Sequence, residues 1–131
     1  MTVFFWKPSA LAALNRCGAW IAGARGWRRF VLALGAGLVS ALAFAPIGFF
    51  PALLVACAVL VLLIDGAVPR ANPLRVAALT GWSFGFGQFL AGLYWVGYAF
   101  TVDASAHAWQ IPFVAVLLPG GLALFPALAC G

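Results

Sequence analysis

Gly81-Trp82-Ser83-Phe84-Gly85-Phe86-Gly87-Gln88-Phe89-Leu90-Ala91-Gly92-Leu93-Tyr94-Trp95-Val96-Gly97-Tyr98 is apolar from end to end, carries no charge, and is dense in glycine and aromatic rings. At 3.6 residues per turn, Gly81, Gly85, Gln88, Gly92 and, just beyond, Ala99 fall on one side, where a neighbouring helix can approach the backbone. Trp82, Phe86, Phe89 and Leu93 point elsewhere. Tyr94, Trp95 and Tyr98 cluster near the end that precedes Asp103, and amphipathic rings of this kind suit the boundary between hydrocarbon and water. The stretch is expected to be a membrane-spanning helix with a packing face.

Composition carries the same reading to the whole chain. Of 131 residues 66% are hydrophobic, against seven basic and two acidic side chains, with a mean hydropathy of +1.14. A single soluble domain of this make-up could not keep its apolar surface out of water, so an integral membrane protein is expected. The net charge of +5 does not point to nucleic acid, because too few polar residues remain to build a solvated binding face. Cys17, Cys57 and Cys130 are odd in number and lack metal-ligand spacing, which argues for small buried hydrophobes rather than a disulfide framework.

Residues 1–29 mix Lys7, Arg16, Arg25, Arg28 and Arg29 with Phe4, Phe5, Trp6, Leu11, Leu14, Trp20, Ile21 and Trp27, a pattern typical of a basic amphipathic preface on a membrane surface. A cleaved signal peptide and a twin-arginine signal on Arg28-Arg29 are the sharper alternatives. Neither fits, because the apolar run that follows is too long and no polar mature sequence succeeds it. Residues 30–64 contain no charge, and as one helix they would be about 50 Å long against a hydrocarbon core of about 30 Å. Pro46, Gly48 and Pro51 break the run into a helical hairpin with spans at 30–45 and 49–64. In the first arm Ala33, Gly37, Ala41 and Ala45 form a small-residue stripe. Leu54-Val55-Ala56-Cys57 has the look of a lipobox, but it lies far from the N-terminus and more apolar sequence follows it.

Asp65, Arg70 and Arg75 surround Pro69, Asn72 and Pro73 in a polar connection. The third span is then 76–100, and the fourth, 111–131, carries Pro112, Pro119 and Pro126 near one face of a kinked helix whose freed carbonyls need partners. All basic residues fall before the first span or between the second and third, which is a positive-inside pattern. The expected fold class is all-α: a polytopic membrane protein of about four transmembrane helices in an up-down bundle, with a cytoplasmic N-terminus. The last run stops without a flanking charge, as a truncated chain would.

Chemistry is sparse. Only Asp65, Asp103, His107 and the cysteines could attack, relay protons or hold a metal, and they form no constellation; no metal and no cofactor is expected. Asp103 and His107 read as a solvated loop pair. Gln88, the one amide inside a span, reads as a helix-to-helix hydrogen-bonding group.

Leu42-Ala43-Phe44-Ala45-Pro46-Ile47-Gly48-Phe49-Phe50-Pro51, then Gly81-Trp82-Ser83-Phe84-Gly85-Phe86-Gly87 through Ala91-Gly92-Leu93-Tyr94-Trp95, then Leu124-Phe125-Pro126-Ala127-Leu128, resembles in order and spacing the N-terminal membrane part of the apolipoprotein N-acyltransferase family. The resemblance implies a bacterial inner-membrane acyltransferase of lipoprotein biosynthesis. Its acyl donor would be a membrane phospholipid, and its acceptor the free amino group of a diacylglyceryl-cysteine on an apolipoprotein. It also implies a nitrilase-like catalytic domain, with glutamate, lysine and cysteine, on the periplasmic side. No position here matches that motif: the chain has no glutamate, and its one lysine is Lys7. No catalytic residue is therefore assigned. The chain is expected to be a fragment that anchors the enzyme and lines the route by which lipid reaches the site, with Gln88, Phe89, Tyr94, Trp95 and Tyr98 as candidate lining residues. The rival is a stand-alone four-span protein, a small transporter or holin-like pore, but no ionisable group lies mid-span to couple transport to protons.

Overall fold

Glycine and proline divide the chain into helices. The computed structural model describes residues 8–43, 48–93 and 111–131. Among them every regular element is helical and no strand occurs. Helix α1 (Pro8–Ala22) is followed by α2 (Trp27–Ser40), which tightens into a 3-10 turn at Ala41–Ala43. The others are α3 (Phe50–Asp65), α4 (Pro73–Gly92), α5 (Ile111–Leu122) and α6 (Leu124–Cys130). Gly26 and Gly48, the two described residues with positive φ, at 56° and 64°, stand just ahead of α2 and α3, where any side chain would strain the turn. Pro51 and Pro73 occupy the first turns of α3 and α4, where a missing N–H costs nothing.

These helices occupy the apolar stretches, with shifted edges. Helix α2 begins at Trp27, so Arg28 and Arg29 lie inside its first turn rather than ahead of it. Helix α4 begins at Pro73 and is described only to its end at Leu93. The rest of the third stretch, with the loop bearing Asp103 and His107, lies outside the described residues, as does Pro46. The basic preface contains a helix: α1 packs on α3 and turns back from α2 by 118° across the break at residues 23–26. The fourth run is interrupted at Ala123, whose amide donates to the Pro119 carbonyl at 2.9 Å. By length and composition, one helical run among the described residues, Pro112–Cys130, suits a membrane crossing on its own. The bent pair Ala12–Ala22 and Trp27–Ala43 passes the same test only together.

Helix α4 is the centre, touching α2, α3, α5 and α6. The sequence suggests one small-residue face on it; the structure uses two. Gly81 and Gly85 meet α6, where a Cβ on Gly81 would lie 2.6 Å from the Pro126 carbonyl oxygen and one on Gly85 would strike the Pro126 ring. Gly87 faces the other way, against the Leu34 carbonyl of α2. Reciprocally, Gly37 of α2 lies against the Phe84 carbonyl and would place a Cβ 2.9 Å from the Gln88 amide nitrogen. Gly92, expected on the packing face, has nothing among the described residues within 4 Å of its Cβ position. The remaining flank carries Trp82 and Phe86, stacked with ring centroids 5.2 Å apart. Trp82 Nε1 donates to the Gly120 carbonyl of α5 at 3.1 Å.

The buried centre is correspondingly small-chained: Ala33, Ala36 and Ala56, closed by Leu63 and Phe84. Close backbone approach replaces bulk as the source of packing energy. Gly37→Val and Gly87→Val are each expected to destabilise the bundle by about 1–3 kcal/mol or more through overpacking. Gly35→Ala, whose Cβ would meet nothing within 4 Å, should be neutral or stabilising by about 0.5–1 kcal/mol. Helix melting followed by circular dichroism in detergent checks all three.

Candidate lipid-facing surface

With the small residues turned inward, the large ones turn out. Leu54, Val55 and Val61 of α3, Phe113, Val116 and Leu117 of α5, and Phe125 and Leu128 of α6 are all exposed, Leu128 to 80%. An aqueous surface rarely shows so many large apolar side chains, whereas hydrocarbon accepts them. Gln88 and Phe89 are half-buried on α4. The side chain of Gln88 makes no hydrogen bond among the described residues, so the helix-to-helix bond expected of it is not formed there; its backbone, not its amide, is what α2 touches. Tyr94, Trp95 and Tyr98 lie outside the described residues.

The buried hydroxyls of the bundle are satisfied locally. The hydroxyls of Ser40, Thr80 and Ser83 donate to the carbonyls of Gly37, Val76 and Leu79 in their own helices, at 2.6, 2.7 and 2.9 Å. Bonded in this way, with no neighbouring base, none is poised as a nucleophile. Among the described residues no group of three His, Cys, Asp or Glu side chains could hold a metal. Cys17 and Cys57 are exposed and Cys130 is half-buried, all unpaired. The exposure of Cys17 and Cys57 corrects the expectation of buried hydrophobes.

The one polar residue that the sequence reading missed is Arg29. Taken there as a mark of topology, it is 1% exposed, and its Nε and both Nη atoms have no hydrogen-bond partner among the described residues. Arg70 lies close enough to act on it as a like charge. Arg70 itself is tied down, donating from Nη2 to the Ala24 carbonyl at 3.0 Å and from Nε to the Gly66 carbonyl at 3.2 Å. It thereby fastens the α3–α4 connection to the α1–α2 turn. A signal for Arg29 was available: it shares a helical face with Ala33, Gly37 and Ser40, all buried.

An apolar helical bundle held by glycine contacts, with no reactive constellation among the described residues, is the class this architecture defines. The chain belongs to the apolipoprotein N-acyltransferase N-terminal domain family, whose family model matches residues 36–131. It is similar to proteins named apolipoprotein N-acyltransferase from Rhodopseudomonas palustris, at 47% identity over 88% of this chain and 22% of the relative, and from Allorhizobium ampelinum, at 45% over 89% and 23%. A third, from Brucella melitensis, is 48% identical over 79% of this chain and 20% of the relative. The chain thus spans about a fifth of the length of the curated relatives it matches. No solved structure matches it.

A buried, unpartnered cation costs stability unless something satisfies it. Arg29→Met, which keeps the aliphatic stem, is therefore expected to stabilise the bundle by up to about 4 kcal/mol, seen as a higher melting midpoint in neutral detergent. Arg70→Gln, which forfeits the bond to Ala24, should lower it. Paired thermal melts of the two variants make the comparison.

Proposed function

We propose that this chain is the membrane-embedded N-terminal portion of an apolipoprotein N-acyltransferase. The observation that carries the reading is the match of the family's N-terminal domain over residues 36–131, together with relatives named apolipoprotein N-acyltransferase of which the chain covers about a fifth of the length. The parent enzyme would take an acyl chain from a membrane phospholipid and transfer it to the amino group of a diacylglyceryl-cysteine, with the catalytic groups in the part of the protein that this chain does not span. The share of these residues is anchorage and access. An apolar outer face and a rigid centre hold a catalytic domain at a fixed height on the bilayer, where both acyl-bearing substrates arrive laterally, and such positioning supplies part of the barrier lowering as effective concentration. Gln88 and Phe89, with Tyr94, Trp95 and Tyr98, are the residues proposed to line that access.

The described hydroxyls of Ser40, Thr80 and Ser83 are bonded to their own helices and none is poised by a base, which supports the reading of an inactive fragment. Incubated with phospholipid vesicles and a diacylglyceryl-cysteine peptide, the 131-residue chain is expected to give no acylated product by mass spectrometry; transfer above background would sink the division of labour.

The proposed topology is multi-pass in the bacterial inner membrane with a cytoplasmic N-terminus, supported by the placement of Arg16, Arg25, Arg28, Arg29, Arg70 and Arg75. A green fluorescent protein fused after Arg70 should fluoresce, and alkaline phosphatase fused after Gly48 should be active. The reverse pattern would invert the orientation.

A further inference from the structure

Helices α1, α2 and α3 enclose a groove of about 650 Å³, within the range of ligand clefts and almost wholly apolar. Its floor is low because Gly35 and Ala36 carry little or no side chain, and Val39, Val55 and Val59 form its sides. Trp20 and Leu32 line this groove and also a second hollow of about 460 Å³, so the two adjoin. The second hollow is different in character, being lined by Arg25 and Arg28. A tail-shaped apolar slot thus opens onto a cationic mouth.

The charge at that mouth has no counter-ion among the described residues. Arg25 and Arg28 are exposed and make no ion pair among the described residues, and Arg29 and Arg70 add positive charge behind them. Asp65, the one acidic side chain among the described residues, is exposed and pairs with none of them. What fits both halves is an amphiphile with an acyl chain and a net negative head. A free anion would leave the groove empty, and a zwitterionic head would bring an ammonium against the arginines.

We propose that this paired groove and mouth bind one anionic phospholipid of the leaflet at the arginine-bearing end, as a resident lipid. Its acyl chain lies between α1 and the α2–α3 pair, and its phosphate lies against Arg25 and Arg28, as basic pockets between membrane helices hold anionic head groups. The proposal rests on the membrane residence argued above, but not on acyl transfer. A lipid held there is bound, not consumed.

Native mass spectrometry of the full chain in a neutral detergent, titrated with dioleoylphosphatidylglycerol or dioleoylphosphatidylcholine, tests it. One phosphatidylglycerol should be retained in preference to phosphatidylcholine. Arg25→Gln/Arg28→Gln should weaken that binding by about twentyfold to thirtyfold, about fivefold for each arginine removed, and leave phosphatidylcholine unchanged. Gly35→Leu, placed where a Cβ meets nothing within 4 Å, should fill the groove and weaken both lipids while helix content and melting hold. Equal retention of the two lipids by the unaltered chain, or phosphatidylglycerol binding that neither variant changes, would overturn the proposal. Because the assay measures retention alone, a failed acyl-transfer reading leaves its outcome interpretable.

Discussion

The bundle depends on one close approach, the crossing of α2 and α4 at Gly37 and Gly87. Each glycine lies against a backbone carbonyl of the opposite helix, Phe84 for Gly37 and Leu34 for Gly87. Two helices that touch backbone to backbone gain dispersion along the whole contact, and they do so where lipid tails offer no hydrophobic reward for association. Everything else is arranged around this contact. It leaves α4 free to meet α6 through Gly81 and Gly85, and it sets the register that brings Trp82 within hydrogen-bonding distance of the Gly120 carbonyl.

A second constraint acts at the arginine-bearing end. There the chain must reverse twice within a short depth, between α1 and α2 and between α3 and α4. Gly66 makes the meeting possible by lying against the Ala22 carbonyl, and Arg70 closes it by donating to the Ala24 carbonyl. A fixed guanidinium fork suits this work, since it reaches two carbonyls of different segments at once. The cost is the field it adds to Arg29, already stripped of water and of partners. Positive charge therefore concentrates where the helices converge, and Asp65, exposed and unpaired, does not offset it.

Much of this was legible in the sequence, and the misses share a cause. Ala33 and Gly37, four apart on α2, announced a buried stripe, and Gly81 and Gly85, four apart on α4, announced a packing face. Gly87 did not announce itself, because a glycine two positions from Gly85 is turned by about 200° and reads as off the stripe rather than as the start of another. A single-face reading of an amphipathic pattern fails for a central helix, which has neighbours on several sides. Arg29 was missed for a related reason: charge at the edge of an apolar run is read as an interface marker, although its spacing to Ala33 and Ser40 places it on the buried face. The candidate access residues Gln88 and Phe89 were found half-buried, and nothing in local spacing could tell which neighbour Gln88 would lack.

The same economy of side chains accounts for both the outer face and the groove. A core of glycine, alanine and serine needs little volume, so the large residues are displaced outward, and Leu54, Val55, Val61 and Leu128 become the surface. Where small residues meet no partner helix, the same economy leaves a hollow: Gly35 and Ala36 lie on α2 where α1 bends away by 118°. Neither feature needs a reactive group, and both need hydrocarbon to fill or cover them. The role proposed for this domain, holding position and admitting acyl chains, would ask no chemistry of it. That is consistent with hydroxyls already committed to their own helix carbonyls, and with a family membership that covers about a fifth of the length of its relatives.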